Sequence, residues 1–377
     1  MRLLHTSDWH LGITGKGGIS YAEDQRFVID QIINIATSEK VDGIIIAGDV
    51  FDKSVASLEA VRLYDEIVTN MCNTLKIPVF IIAGNHDGSS RLAQCSKLLW
   101  NSGLYISGNL EEKPQVFNFG DVDIYLLPWI STDKVRTIYP EKSKEITSLE
   151  SAYKVVLDKY RDSFIKGHKK ILVSHAYVVG EDDVKIDLIG NAVAIPASVY
   201  DGFDYVALGH IHGAKSVSEK AKYCGTPLSY SFGNEENRRK SVTIYDSETD
   251  EQKEVMLTPL RERHTIKDTL QNILNADYDE AILNGYVRLE VTDQYVGFET
   301  ASLFRDRYPF FLEYTCPSIE SEHEVISMTI EDLEDVKNDP EAVFDAYCKD
   351  VLGMPPADSF KDLFGKALDL CGKEALE

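Results

Sequence analysis

The apolar residues in the first half of the chain fall into short continuous runs separated by helical patterns. Residues 43–47 (GIIIA) and 77–83 (IPVFIIA) have strand length and almost no polar interruption, as expected of strands buried on both faces. Between and before them, Phe27, Val28, Ile32, Ile35 and Ala36 recur at helix spacing, and Leu58, Val61, Leu63, Ile67 and Val68 do so again. With Leu3 and Leu4 opening a first strand, this alternation predicts an α/β domain. Past Gly103 the strands come closer together, at 115–119 and 123–127. A helix near 148–165 follows, then apolar strands at 171–174, 204–208 and 241–245. The count fits two facing mixed sheets with helices outside, a four-layer αββα sandwich.

The pattern changes around 248–253 (ETDEQK), whose charge predicts a boundary near residue 250. A helix at 266–276, an alternating strand at 286–291 (YVRLEV), a helix at 299–307 and a strand at 309–314 predict a small α+β domain over 251–318. The tail, 319–377, carries two amphipathic patterns. One starts at the Asp339-Pro340 cap and presents Val343, Phe344, Tyr347 and Val351; the other starts at Ser359 and presents Phe360, Leu363, Phe364, Ala367 and Leu368.

Composition adds three constraints. The 377 residues exceed what one core usually holds. Six cysteines are scattered without a C-x-x-C pair, which speaks against a disulfide framework or cysteine-held zinc. No run approaches ~18 apolar residues and no apolar leader follows Met1, so a cytoplasmic protein without membrane spans is expected. The net charge of −23 argues against wholesale binding of nucleic acid. That charge is uneven, because residues 317–377 hold 16 Asp/Glu against 5 Lys/Arg. The acidic end therefore reads as a separate solvated or partner-facing unit.

Polar clusters interrupt the apolar runs at five strand ends: LLHTSDWHLG (3–12), AGDVFD (47–52), AGNHDG (83–88), LVSHA (172–176) and LGHIHG (208–213). An acid and a histidine at i and i+2, as in Asp8 and His10, share a face if the chain is extended. In α/β sheets the carboxyl ends of strands gather functional groups. Convergence of the five clusters would assemble Asp8, His10, Asp49, Asn85, His175, His210 and His212, with Gly48, Gly84 and Gly209 permitting tight turns beside them. Any one cluster is common, but five of the nine histidines stand at the polar positions that end these runs, while His5 (inside the first strand), His168, His264 and His323 do not. Imidazole mixed with carboxylate and amide oxygen suits Mn²⁺, Fe²⁺ or Zn²⁺. Seven ligands are too many for one ion and suffice for two that share a carboxylate. Paired ions of this kind serve phosphoryl transfer. The residues alone therefore point to a two-metal phosphoesterase.

The order D-x-H, G-D-x-x-D, G-N-H-D, H, G-H-x-H resembles the calcineurin-like metallophosphoesterases over residues 1–246. SDWHLG, GDVFDK, GNHDGSSRL, YVALGHIH and YCGTPLSYSF narrow the resemblance to the SbcD family of nuclease subunits. That resemblance implies one ion on Asp8, His10, Asp49 and His212, and a second on Asp49, Asn85, His175 and His210, most simply Mn²⁺. It makes His86 the group facing the scissile phosphate, Asp52 the residue that orients it, and Asp87 an organiser of the loop. It also implies double-strand exonuclease and single-strand or hairpin endonuclease activity on DNA, in recombination, replication and repair. The part at 251–318 would cap DNA, and the tail would dock on an SMC-like ATPase, SbcC. A homodimer within a heterotetramer is the implied assembly. The chain contains no G-x-x-x-x-G-K-[ST] run, so ATP dependence would come from that partner. Lys16 in the loop 12–20 and Arg91 are candidate DNA contacts, with Arg238-Arg239-Lys240, Arg261 and Arg263 as further positive charge. Two other readings share parts of this pattern: a phosphodiesterase for small esters, and a non-catalytic scaffold of the same fold.

Overall fold

The computed structural model describes residues 1–180, 194–233, 235–236, 238–316, 344, 360–361 and 363–366. Strands run in the order β1 (Arg2–Thr6), β2 (Gly43–Ala47), β3 (Val79–Ile82), β4 (Leu104–Ser107), β5 (Gln115–Phe119), β6 (Val122–Leu127) and β7 (Lys169–His175). They continue with the short β8 (Val178–Val179) and β9 (Ile195–Pro196), then β10 (Tyr205–Gly209), β11 (Lys215–Ser216), β12 (Ala221–Tyr223), β13 (Lys240–Asp246) and β14 (Glu251–Leu257). One six-stranded sheet has the order β14-β13-β1-β2-β3-β4 and the other β11-β12-β10-β7-β6-β5. In the first, β1 through β4 are mutually parallel; in the second, β6, β7, β10 and β12 are parallel.

Period-two alternation explains why these strands are apolar throughout. Leu3, Ile45, Phe80 and Ile82 of the first sheet meet Ile124, Leu126, Ile171 and Ala207 of the second in an inter-sheet core. Their neighbours Leu4, Ile44, Ile46 and Ile81 face the other way, onto the helices Ala22–Ser38 and Leu58–Thr69. The second sheet is covered by the helix Leu149–Arg161, which buries Tyr153, Val156 and Leu157. Ser57 and Ser148 cap their helices, their side chains accepting from the N–H groups of Ala60 and Ser151. Four layers result, the αββα sandwich expected. Each fully buried Ile or Phe in the inter-sheet core contributes about 1.5–3 kcal/mol. His5 spans the same core, with Nδ1 2.9 Å from the Tyr205 hydroxyl and Nε2 3.2 Å from the Leu208 carbonyl.

The charged stretch 248–253, expected to mark a boundary, is instead the turn and start of a hairpin: β14 pairs with β13 along seven residues and extends the first sheet. One compact unit comprises Met1–Ile266, Asp277–Arg288 and Leu303–Glu313; the other comprises Lys267–Ala276, Leu289–Ser302 and the chain from Tyr314. A three-stranded sheet has the order β15 (Arg263–Asp268), β16 (Tyr286–Val291), β17 (Phe311–Thr315). The expected helix at 266–276 begins later, at Leu270, because β15 runs to Asp268 and Thr269 caps the helix. Most of 319–377, and so most of the expected tail helices, lies outside the described residues.

Candidate metal centre

The parallel strands β1, β2 and β3 send their following loops to one end of the sandwich, and β7 and β10 do the same from the second sheet. Asp8 and His10 follow β1, Asp49 follows β2, and Asn85 and His86 follow β3. His175 ends β7, and His210 and His212 follow β10. Asp8 and His10 do not share the face of an extended strand, as their spacing suggested. β1 stops at Thr6, and both residues are left-handed, with φ of 52° and 46°. Their main-chain N–H groups donate to the carbonyls of Gly48 and Asp49, each at 2.9 Å, which locks this turn onto β2. Trp9 between them is fully buried and donates its Nε1–H to Thr6 Oγ1. Asp49 and His210 are left-handed too, with φ of 48° and 107°. Such conformations cost on the order of 1–3 kcal/mol each and concentrate at functional sites. Two glycines make room: a Cβ on Gly84 would come within 2.1 Å of Asp49 Oδ1, and one on Gly209 within 1.8 Å of the Ala47 carbonyl oxygen.

The seven residues singled out in the sequence converge. Asp8, His10 and His212 bring ligand atoms within 4.8 Å of one another, and Asp8, Asp49 and His175 do likewise. Asp49 Oδ2 lies 3.9 Å from His10 Nε2 and 3.4 Å from His175 Nε2, between the two groups. Asn85 Oδ1 is 3.0 Å from both His175 Nε2 and His210 Nδ1. Outer partners fix the rings. His175 Nδ1–H donates to the Ala47 carbonyl at 2.8 Å, and His212 Nδ1 pairs with Glu235 Oε1 at 3.0 Å. Both of these histidines thus present Nε2 inward, the arrangement typical of metal-binding imidazoles. His210 donates its main-chain N–H to the Asp8 carboxylate.

The electrostatics suit a divalent cation. Burial pushes His10 and His210 down to about 4, so both are neutral at pH 7 with lone pairs available. Neither ring nitrogen of buried His10 makes a hydrogen bond, an orphaned state that a cation would resolve. Burial raises Asp8, while Asp49 is held below its ordinary range: burial opposes this, but His175 and His10 outweigh it. Burial alone would lower His175, yet the Asp49 carboxylate raises it to about 9. The donor set of two buried carboxylates, an amide oxygen and four imidazoles fits hard-to-borderline divalent ions. Of the imidazoles, His10 and His210 are already neutral, and His175 would give up its proton to an ion.

Other expected residues are placed differently. His86 is exposed, and its Nδ1–H donates to the Asp52 main-chain carbonyl at 2.9 Å. The Asp52 carboxylate instead lies 3.8 Å from His10 Nδ1, so Asp52 orients His86 through the backbone and not through its acid. Asp87 organises its loop by accepting the N–H groups of Val50, Phe51 and Gly84. Lys16 is paired with Glu313, and Arg91 donates to the Ser54 carbonyl. Lys240 is mostly buried and bound to Glu235, while Arg261 pairs with Glu23 and Asp24. Arg263 is buried among Tyr21, Phe232 and Tyr286. These last three cations hold the fold together and are not free for a phosphate.

Glu235 is a candidate site residue that sequence reasoning missed, placed against His212 Nδ1. It sits 23 residues after His212, in a polar loop with nothing in its local pattern to mark it. Besides His212 it accepts from Tyr230 N–H and Ser231 Oγ–H, and its His212 and Lys240 partners hold it down to about 2 against the effect of burial. Glu235→Gln is expected to weaken metal affinity by about 10–100-fold, the usual effect of losing an outer carboxylate. Calorimetric titration of the metal-stripped protein would check this, and unchanged affinity would remove Glu235 from the site.

The sequence profile described as calcineurin-like phosphoesterase matches residues 1–214, which contain every strand bearing these ligands. The chain belongs to the calcineurin-like phosphoesterases. Over nearly its whole length this phosphoesterase is also similar to proteins named as the SbcD component of the SbcCD nuclease. With that of Staphylococcus epidermidis it is 29% identical over 382 residues, covering 98% of this chain and 99% of that protein. With that of Staphylococcus saprophyticus it is 27% identical over 361 residues, covering 94% of each. The metallophosphoesterase fold implies divalent metals, and the convergent acids and histidines form groups that could hold them. Among the described residues, no helix is long and apolar enough to cross a membrane.

Proposed function

We propose that this phosphoesterase is a DNA nuclease, hydrolysing phosphodiesters with two divalent ions, Mn²⁺ in the first instance. The observation that carries this reading is the extent of the similarity. It covers up to 98% of this chain, well beyond the phosphoesterase region at 1–214, in proteins named as nuclease components. An enzyme for small esters has no need of those further parts. The reading includes double-strand exonuclease and single-strand or hairpin endonuclease activity, in DNA recombination, replication and repair. It also assigns the part of 251–318 that follows β14 to DNA capping, 319–377 to docking on an SMC-like ATPase, SbcC, and the assembly to a homodimer within a heterotetramer.

In this mechanism Asp8, His10, Asp49 and His212 hold one ion, and Asp49, Asn85, His175 and His210 hold the other. When bound, such ions activate a water and neutralise the phosphoryl oxygens. The protein's own residues do the rest. Ala47 and Glu235 fix the tautomers of His175 and His212, so ligand geometry is set before substrate arrives. The Asp52 carbonyl accepts from His86 Nδ1–H, so the imidazolium form of His86 would present Nε2–H as the proton given to the leaving oxygen, and the ring would be left neutral with its proton on Nδ1. His86 is exposed and so reachable by a polymer.

The test is incubation of the full chain with Mn²⁺, a hairpin oligonucleotide and bis-p-nitrophenyl phosphate, with and without an SMC-like ATPase. Cleavage of the oligonucleotide is expected. Turnover of the small ester alone, even with the partner, would favour a small-substrate phosphodiesterase instead.

A further inference from the structure

We propose that Arg238 and Arg239 form a phosphate-binding subsite beside the metal centre, holding the nucleic-acid backbone next to the bond being cut. This rests on the nuclease reading above and adds to it the place where a second phosphate sits.

Both arginines are exposed and together line two clefts of the first compact unit. One cleft, of about 280 Å³, is also walled by His212 and Gly213. The other, of about 290 Å³, extends past Ser229 and His264. The Arg238 guanidinium lies against Gly213, so close that a Cβ there would meet Nη1 at 2.8 Å. It is therefore one residue away from His212.

What distinguishes these two side chains is that their charge is not spoken for. Lys240, Arg261 and Arg263 line the same cleft but are committed to Glu235, to Glu23 and Asp24, and to Tyr21 with the Ser229 carbonyl. Of the acids that line these clefts, Glu262 is exposed and, among the described residues, carries no ion pair, while the other two are committed. Glu236 accepts from the Thr265 N–H and hydroxyl, and Glu254 pairs with Lys222. Among the described residues, Arg238 and Arg239 have no carboxylate partner. In a chain of net charge −23, two adjacent exposed arginines left uncompensated beside a ligand histidine repel each other unless an anion joins them. The guanidinium fork matches phosphate oxygens bidentately. A substrate with one phosphate would occupy only the ions, whereas a polynucleotide brings its neighbouring phosphate to the arginines.

The experiment compares wild type, Arg238→Ala/Arg239→Ala and Arg238→Lys/Arg239→Lys as full chains with Mn²⁺, on a single-stranded oligonucleotide and on bis-p-nitrophenyl phosphate. For the alanine pair, KM for the oligonucleotide is expected to rise at least about tenfold with kcat within about threefold. The ratio of kcat/KM between oligonucleotide and small ester should fall by the same factor. The slope of log binding against log salt should decrease by about 1.4 for two lost phosphate contacts on a single strand. The lysine pair should restore the slope but not the full affinity. An unchanged ratio, or equal losses on both substrates, would overturn the subsite. Wild-type turnover of the ester with no cleavage of any oligonucleotide is a different failure, that of the nuclease reading itself.

Discussion

His86→Ala is expected to slow phosphodiester cleavage by about 10²-fold or more while metal content stays at the wild-type level. The expectation comes from which atoms of His86 touch the site. Its main-chain N–H donates to Asp49 Oδ1 at 2.9 Å, and alanine keeps that bond. Its ring is exposed, held by the Asp52 carbonyl, and lies edge-on to His10 with 4.9 Å between centroids. What alanine removes is the imidazole that carries the proton. His86 also approaches His10 and Asp49 closely enough to serve as a ligand. Elemental analysis beside the rate therefore decides its role. Loss of an ion in the variant would make His86 a ligand and end its assignment as proton donor.

Asp49→Asn is expected to lose more than about 10³-fold in activity, with metal content falling from two ions to one or none. The substitution keeps the shape and the acceptor for His86 N–H but deletes the charge shared by His10 and His175. A second signature follows in the metal-free protein. The Asp49 carboxylate is what raises His175 to about 9 against the effect of burial. In the variant the imidazole should titrate far lower, visible as an NMR shift of its ring protons. Two retained ions with activity within tenfold of wild type would show that Asp49 does not bridge.

Much of this was legible in the sequence because the sandwich is written in short apolar runs. GIIIA and QVFNF coincide with β2 and β5, and YVRLEV with β16. The ligands were legible because imidazoles and acids stand at the ends of those runs. What was not legible depends on contacts remote in the chain. The polar strand β14 is held by its register with β13 and by no apolar period of its own. Glu235 meets His212 only through a folded loop. Asp52 looked like a carboxylate aimed at His86, but the turn after β2 turns its carbonyl to that ring and its acid to His10. Basic residues were the least legible of all. Whether an arginine is free or spent, as Arg238 and Arg263 respectively are, depends on partners that local pattern does not encode.

The seven converging residues are drawn from two sheets that, among the described residues, share no hydrogen-bonded strand edge: Asp8, His10, Asp49 and Asn85 ride on one, His175, His210 and His212 on the other. Their alignment is therefore a property of how the two sheets seat on each other. Phe80, Tyr205 and the stacked Tyr245, together with the His5 bridge, act as the registration pins of that seating. A cavity cut among them would announce itself first as a fault in catalysis, at a site none of them touches, before it announced itself as a loss of fold.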